Sequence, residues 1–190
     1  MPNLVLASTS PHRAKLLARL GLPFQQVAPA FTERLHGAEP KSLVRENTLG
    51  KARAVASARP GATVIASDQL AWFEGGAVGK PGSIQRAMEQ LNRFSGHAVD
   101  FYTGVACISD GQELYACVPT RVHFRPLEEH EIQHYVERER PLDCAGSFKS
   151  EGLGIALLAR IDSEDPTALI GLPLITLAGW LRPLSDACFH

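Results

Sequence analysis

The chain has 190 residues, 45% of them hydrophobic, and a formal net charge of −1 at pH 7. This length and apolar content are enough to bury a core, and we expect a single domain over residues 1–190, built as one body or as two small lobes. The near-neutral charge gives no electrostatic basis for binding nucleic acid or a membrane surface. Those partners are therefore not predicted, whereas a small anion, which needs only local positive charge, is left open.

The cysteines and the N-terminus indicate the compartment. Cys107, Cys117, Cys144 and Cys188 include no C-x-x-C pair, so they signal neither a zinc site nor a redox motif. The apolar run at the N-terminus is too short for a signal peptide, and no stretch approaches the length of a membrane span. We predict a reduced, soluble, cytoplasmic protein.

Apolar runs and turn residues, taken in chain order, predict alternating strands and helices. The predicted strands are Leu4–Ala7, Phe24–Ala28, Thr63–Ser67, Ala98–Ile108, Leu114–Phe124 and Gly154–Leu158. The predicted helices are Pro11–Leu20, Lys41–Arg59, Ile84–Phe94, Leu127–Arg138 and Pro173–Leu181. The alternation in the first half indicates an α/β sheet with helices packed on it. Two hairpins, one within residues 71–78 and one across residues 109–112, indicate that the sheet is mixed.

The stretch Leu4–Arg13 is typical of a strand that runs into a helix. Ser10 suits the N-cap, and Pro11 suits the first helical position, where no backbone N–H is needed. A helix that begins in this way directs free N–H groups and its positive dipole end forward, and the side chains of Ser8, Ser10 and Arg13 would complete an anion site. The same pattern fits an ordinary capped helix with a solvated arginine, and the local chemistry alone favours that simpler interpretation.

Asp68 is the first candidate for catalysis, because it directly follows the predicted strand Thr63–Ser67. In open α/β sheets, ligands bind beyond the carboxyl ends of the strands. A carboxylate there can hold a divalent cation or accept a proton from water. A carboxylate that merely caps the next turn is an equally good interpretation.

The other candidate site residues give only weak evidence when each is considered alone. Lys51 and Lys80 can each bind phosphate, but most lysines are solvated, and Glu33 is unremarkable alone. The glycine-rich residues 146–154 carry Glu151, which can accept hydrogen bonds from a base edge, although their composition favours a flexible connector. Neither a phosphate loop that ends in Gly-Lys-Ser/Thr nor a Gly-x-Gly-x-x-Gly fingerprint is present.

Together these segments resemble the Maf family of nucleoside triphosphate pyrophosphatases, in the family's order and over nearly the whole chain. The segments that carry the resemblance are Leu6–Arg13, Glu33, Lys51-Ala52, Ser67-Asp68-Gln69, Gly79-Lys80-Pro81, Ser95-Gly96, Ala145-Gly146 and Gly171-Leu172-Pro173. Residues 101–104 and 144–152 are similar to the YceF subgroup, which is associated with 7-methyl-GTP. Gln69 and Glu151 also differ from the Thr and Gln that are typical of the subgroup that acts on dTTP and UTP.

The resemblance implies a mixed, twisted sheet with flanking helices, in a two-lobed fold with a central cleft like that of the Maf and ITPase-like enzymes. It implies a hydrolase acting on acid anhydrides, which splits a nucleoside triphosphate into its monophosphate and pyrophosphate. It also implies a divalent metal ion, Mg²⁺ or Mn²⁺, and a homodimer. The predicted substrate is 7-methyl-GTP.

The implied roles fall into groups. Asp68 would be the catalytic proton acceptor and would share the metal ion with Glu33. The phosphates would be held by Ser8, Ser10, Arg13, Lys51 and Lys80. His12, Gln69 and Glu151 would set base selectivity. His12 departs from the family, which has Arg or Trp there, and its smaller ring would stack on the base.

Two alternatives stay open at this stage. One is a pyrophosphatase of dTTP and UTP, or of modified nucleotides more broadly. The other is a nucleotide-binding regulator, because the family is named for an effect on septum formation. Release of pyrophosphate in a metal-dependent reaction would distinguish an enzyme from a regulator.

Overall fold

In the computed structural model, which describes residues 3–36 and 39–182, strands and helices follow the predicted mixed α/β order. The strands are β1 Leu4–Ala7, β2 Phe24–Val27, β3 Thr63–Phe73, β4 Gly76–Val78, β5 Ala98–Ser109, β6 Gln112–Phe124 and β7 Leu158–Ser163. The helices are α1 Pro11–Ala18, α2 Pro40–Ala58, α3 Ile84–Phe94, α4 Glu129–Glu139 and α5 Leu174–Leu181. Cys188 lies outside the described residues.

The chain forms two compact units. The first unit comprises the described residues up to Asp68, residues 103–118 and the described residues from Asp165 onward. The second unit comprises residues 69–102 and 119–164. Among the described residues, none of the helices combines the length and hydropathy that crossing a bilayer requires.

The first unit is built on parallel strands. β1 pairs in parallel with both β2 and β3, and Leu4 and Ala7 lie opposite Thr63 and Ala66 of β3. Because successive residues of a strand point to opposite faces, each strand contributes to two cores. Leu4, Leu6 and Ile65 pack with the apolar residues of α1 and α5, and Val5, Val64 and Ala66 pack with those of α2. The fully buried leucines of these cores each contribute roughly 1.5–3 kcal/mol to stability.

The second unit has antiparallel strands and an aromatic core. β4 turns back on β3, and β6 pairs with β7. In this core, phenylalanine rings pack in successive pairs, edge to face or tilted, with ring centroids 5.2–6.1 Å apart. The pairs join, in order, Phe73, Phe94, Phe124, Phe148 and Phe101. Such pairs contribute about 0.5–1.5 kcal/mol each beyond the area they bury.

Two predicted strand boundaries are wrong. β3 does not end at Ser67 but continues to Phe73, so Asp68 lies inside the strand, two residues beyond the last position paired with β1. The predicted strand Gly154–Leu158 is mostly a 3₁₀ turn over Leu153–Leu157, and β7 begins only at Leu158. β7 is an exposed edge strand, so its sequence lacks the buried apolar run by which strands are recognised.

Candidate active site

The junction of β1 and α1 has the predicted cap. The Ser10 side chain accepts a hydrogen bond from the Arg13 backbone N–H at 3.4 Å, and Pro11 opens the helix. The Ser8 hydroxyl oxygen accepts bonds from the Ser10 N–H at 3.1 Å and from Nη1 of Arg13 at 3.4 Å. The two serines and the guanidinium therefore form one hydrogen-bonded group at the positive end of α1.

Arg13 is not a solvated surface residue. Its Nε donates to the carbonyl oxygen of Gly171 at 2.9 Å, and the Ser67 hydroxyl donates to the same oxygen at 2.7 Å. Burial lowers the pKa of the guanidinium, and the Asp68 and Glu33 carboxylates act in the opposite direction. Arg13 thus lies within electrostatic reach of both candidate carboxylates.

Lys51 joins the two carboxylates. Its Nζ lies 2.5 Å from Oε1 of Glu33 and 2.6 Å from Oδ1 of Asp68. The side chains of Lys51 and Asp68 are 6% and 7% exposed, whereas that of Glu33 is 40% exposed. Strand alternation explains the pairing, because Asp68 falls on the same face of β3 as Val64 and Ala66, the face that α2 covers.

Asn47 completes this cluster, and sequence reasoning missed it. Its Nδ2 donates to Oδ2 of Asp68 at 3.1 Å, and Asn47 is 1% exposed. Asn47 lies four residues before Lys51, so both side chains project from the same face of α2. The four-residue spacing from Lys51 could have indicated a shared helix face. An isolated polar asparagine in a helix, however, is usually interpreted as a surface residue.

The carboxylates of Glu33 and Asp68 fit a divalent cation. Both converge on a single positive charge, the ammonium of Lys51, and hard oxygen donors of this kind suit Mg²⁺. The described residues contain no cluster of three or more His, Cys, Asp or Glu side chains that could hold a metal ion by themselves. A cation here would need oxygens from a bound ligand or water, as Mg²⁺ does when it binds with substrate phosphates.

Lys80, Gln69 and Glu151 belong to the second unit, where Lys80 and Glu151 occupy linked segments. The carbonyl oxygen of Gly79 accepts from the Gly146 N–H at 3.4 Å and from Nε2 of Gln90 at 3.2 Å. The Ser147 hydroxyl donates to Oε1 of Gln90 at 2.5 Å. The residue before Lys80 is thus tied to the glycine-rich segment that carries Glu151.

The glycine-rich segment is anchored rather than loosely connected. The Tyr135 hydroxyl donates to the Ser147 carbonyl at 3.2 Å and accepts from the Lys149 N–H at 3.0 Å. Burial raises the pKa of the Cys144 thiol, and the charges that act on this thiol include those of Lys149, Glu151 and Lys80. Lys80 and Glu151 are therefore close enough to act on one group, while both are exposed.

The comparison with known families identifies the chain. Residues 3–184 match the family described as Maf-like protein. The chain belongs to the Maf family. The predicted resemblance is confirmed, and the match extends through both units.

Individual relatives of this Maf protein carry a more specific name. It is 48% identical to the 7-methyl-GTP pyrophosphatase of Pseudomonas aeruginosa over 184 residues, which cover 95% of this chain and 96% of the relative. It is 49% identical to the 7-methyl-GTP pyrophosphatase of Xanthomonas oryzae pv. oryzae over 191 residues, with 100% and 99% covered. The solved structure of the Staphylococcus aureus Ham1 protein superimposes with a TM-score of 0.57 at 15% identity, covering 96% of this chain and 100% of that one. This structural likeness concerns the fold alone.

Proposed function

We propose that this Maf protein hydrolyses 7-methyl-GTP to 7-methyl-GMP and pyrophosphate, and so removes a modified nucleotide. The observation that carries the proposal is the name of its relatives, which are 48–49% identical over 95–100% of the chain. The cluster of Arg13, Lys51, Glu33 and Asp68 supports it, because a triphosphate needs cations around it and hydrolysis needs a proton acceptor.

The proposed division of roles follows the chemistry of each group. Ser8, Ser10 and Arg13 bind phosphate oxygens, together with Lys51 and Lys80, through hydrogen bonds and charge. The Asp68 carboxylate accepts the proton of the water that is added across the bond between the α- and β-phosphates. This assignment needs Asp68 ionised and close to cations, and Nζ of Lys51 lies 2.6 Å from it.

Glu33 and Asp68 are the proposed ligands of Mg²⁺ or Mn²⁺. A divalent cation held there would neutralise phosphate charge. The same carboxylates now contact Lys51. Lys51, whose ammonium contacts both carboxylates, would add its own positive charge to that of the cation at the phosphates.

We also propose that the protein is cytoplasmic and forms a homodimer. Among the described residues, Cys107, Cys117 and Cys144 are free thiols, which agrees with the reducing cytoplasm. The homodimer that the resemblance implies stays a prediction, which sedimentation of the purified chain tests.

The direct test is a panel of canonical and modified nucleoside triphosphates, assayed with Mg²⁺ for release of pyrophosphate. We expect 7-methyl-GTP to give the highest kcat/KM, and removal of the metal with EDTA to abolish release until Mg²⁺ is added back. A preference for dTTP or UTP would instead favour the other subgroup. Saturable nucleotide binding without pyrophosphate release would favour a regulator and contradict the proposal.

Glu151→Gln is expected to lower the preference for 7-methyl-GTP over UTP. Guanine offers adjacent N1–H and N2–H donors to a carboxylate, and methylation at N7 gives the base a positive charge that the carboxylate attracts. Loss of one charge-assisted hydrogen bond should reduce the ratio of kcat/KM values about tenfold or more. His12 and Gln69, the other proposed selectivity residues, are unchanged in this variant. An unchanged ratio of kcat/KM values would show that Glu151 does not set base selectivity.

A further inference from the structure

The segment that carries Glu33 lies along one face of α2 without being a helix or a strand itself. Residues 31–34 contact α2 at four positions, Glu46, Asn47, Gly50 and Lys51. Glu46 and Gly50 are four residues apart, as are Asn47 and Lys51, so each pair lies one above the other and the two pairs form one broad stripe along the helix. We call residues 31–34 the Glu33 segment.

The Asn47 side chain makes two hydrogen bonds to the backbone of this segment. Its Oδ1 accepts from the N–H of Arg34 at 2.8 Å, and its Nδ2 donates to the carbonyl oxygen of Arg34 at 2.9 Å. The same Nδ2 donates to Oδ2 of Asp68 at 3.1 Å. A primary amide has two N–H donors, so a single side chain fixes the backbone next to Glu33 relative to Asp68.

Gly50 provides the second contact. Glycine inside a helix is destabilising relative to alanine, so its presence in the middle of α2 calls for a local reason. A methyl group added to Gly50 would overlap the ring of Phe31. The missing side chain therefore leaves the space in which Phe31 packs on the helix.

Glu33 is the most exposed of the three charged side chains that meet at Lys51. Its side chain is 40% exposed, whereas Lys51 and Asp68 are 6% and 7% exposed and held by their own elements. We infer that Asn47 and Gly50 are positioning residues, which dock the Glu33 segment on α2 so that Glu33 meets Lys51 beside Asp68. The inference deepens the proposed function and rests on it only for its kinetic test.

Tryptic cleavage after Arg34 measures the docking without any assay of activity. Cleavage requires the backbone of Arg34 to break its two hydrogen bonds to the Asn47 side chain. In Asn47→Ala, which loses two hydrogen bonds to that backbone, we expect the peptide bond after Arg34 to be cut about tenfold faster under native conditions. Asn92→Ala, at an exposed asparagine of α3, is the matched control and should be cut at the wild-type rate.

Kinetics of the same variants test the positioning of Glu33. In Asn47→Ala, kcat for pyrophosphate release should fall about tenfold or more, with a smaller change in KM, because Glu33 is displaced from Lys51 and Asp68 loses the hydrogen bond from Asn47. Gly50→Ala, which leaves that hydrogen bond in place, measures the displacement of Glu33 alone. Gly50→Ala should show the same two effects, because its methyl group displaces Phe31, although alanine favours the helix itself. If Gly50 affected only the stability of the helix, Gly50→Ala would leave both the cleavage rate after Arg34 and kcat unchanged.

A double-mutant cycle identifies Phe31 as the group that Gly50 accommodates. In a Phe31→Ala background, Gly50→Ala should have little further effect on cleavage, because the overlapping ring is already gone. Wild-type cleavage rates in both Asn47→Ala and Gly50→Ala would overturn the inference, as would faster cleavage with unchanged kcat. A wild-type chain that releases no pyrophosphate would contradict the proposed function instead, and cleavage after Arg34 would then decide the docking alone.

Discussion

Asp68→Asn is expected to abolish pyrophosphate release while nucleotide binding is partly retained. The amide keeps the shape of the side chain and its contact with Lys51, but it cannot accept a proton from water. Positioned general bases contribute about 10²–10⁴-fold to rate, so kcat should fall by at least that range. Steady-state release of pyrophosphate from 7-methyl-GTP measures the loss, and calorimetry with a non-hydrolysable analogue measures the binding that is left.

The matched control for Asp68→Asn is Glu113→Gln. Glu113 is the carboxylate of another ion pair in the first unit, with Arg53 at 2.7 Å, but the pair lies at the surface, with the Arg53 side chain 61% exposed. Surface ion pairs contribute only about 0–1 kcal/mol, and this one lies outside the proposed site. Its kcat should equal that of the wild type. Near-normal turnover by Asp68→Asn would show that the role assigned to Asp68 is wrong.

The N-terminal half of the site follows from local sequence rules. Ser10 and Pro11 define the start of α1 by capping chemistry alone, and the structure has both in the predicted positions. The placement of Arg13 was not predictable in this way, because its partner is the carbonyl oxygen of Gly171, 158 residues later. Local rules give the helix end, whereas tertiary contacts decide where its arginine points.

The packing of α2 against β3 was likewise not predictable from local sequence rules. The sequence predicts a helix over most of Pro40–Ala58 and a strand from Thr63, but not which helical positions face which strand positions. That register depends on how α2 packs across the sheet. Lys51 and Asn47 therefore look like solvated polar residues until the fold places Asp68 against them. A carboxylate inside a longer β3 is what brings the two together.

Lys51→Met is expected to destabilise the fold as well as the site. The ammonium and its partner Asp68 are both nearly buried, and removal of one member of a buried ion pair leaves an uncompensated charge, which costs about 3–5 kcal/mol. The free energy of unfolding, measured by guanidinium denaturation, should fall by that amount, and pyrophosphate release should be lost. The exposed Lys15 of α1 is the control, since Lys15→Met should change stability by no more than about 0.5 kcal/mol.

The double variant Lys51→Met, Asp68→Asn separates stability from function. With both charges removed, no buried ion lacks a partner, so most of the lost free energy of unfolding should return. Activity should not return, because the proton acceptor and the phosphate-binding cation are both absent. A Lys51→Met variant as stable as the wild type would show that the Lys51–Asp68 pair does not hold α2 to β3. Recovery of stability without activity would show that the fold requires only that the two charges balance each other, whereas the chemistry requires the charges themselves.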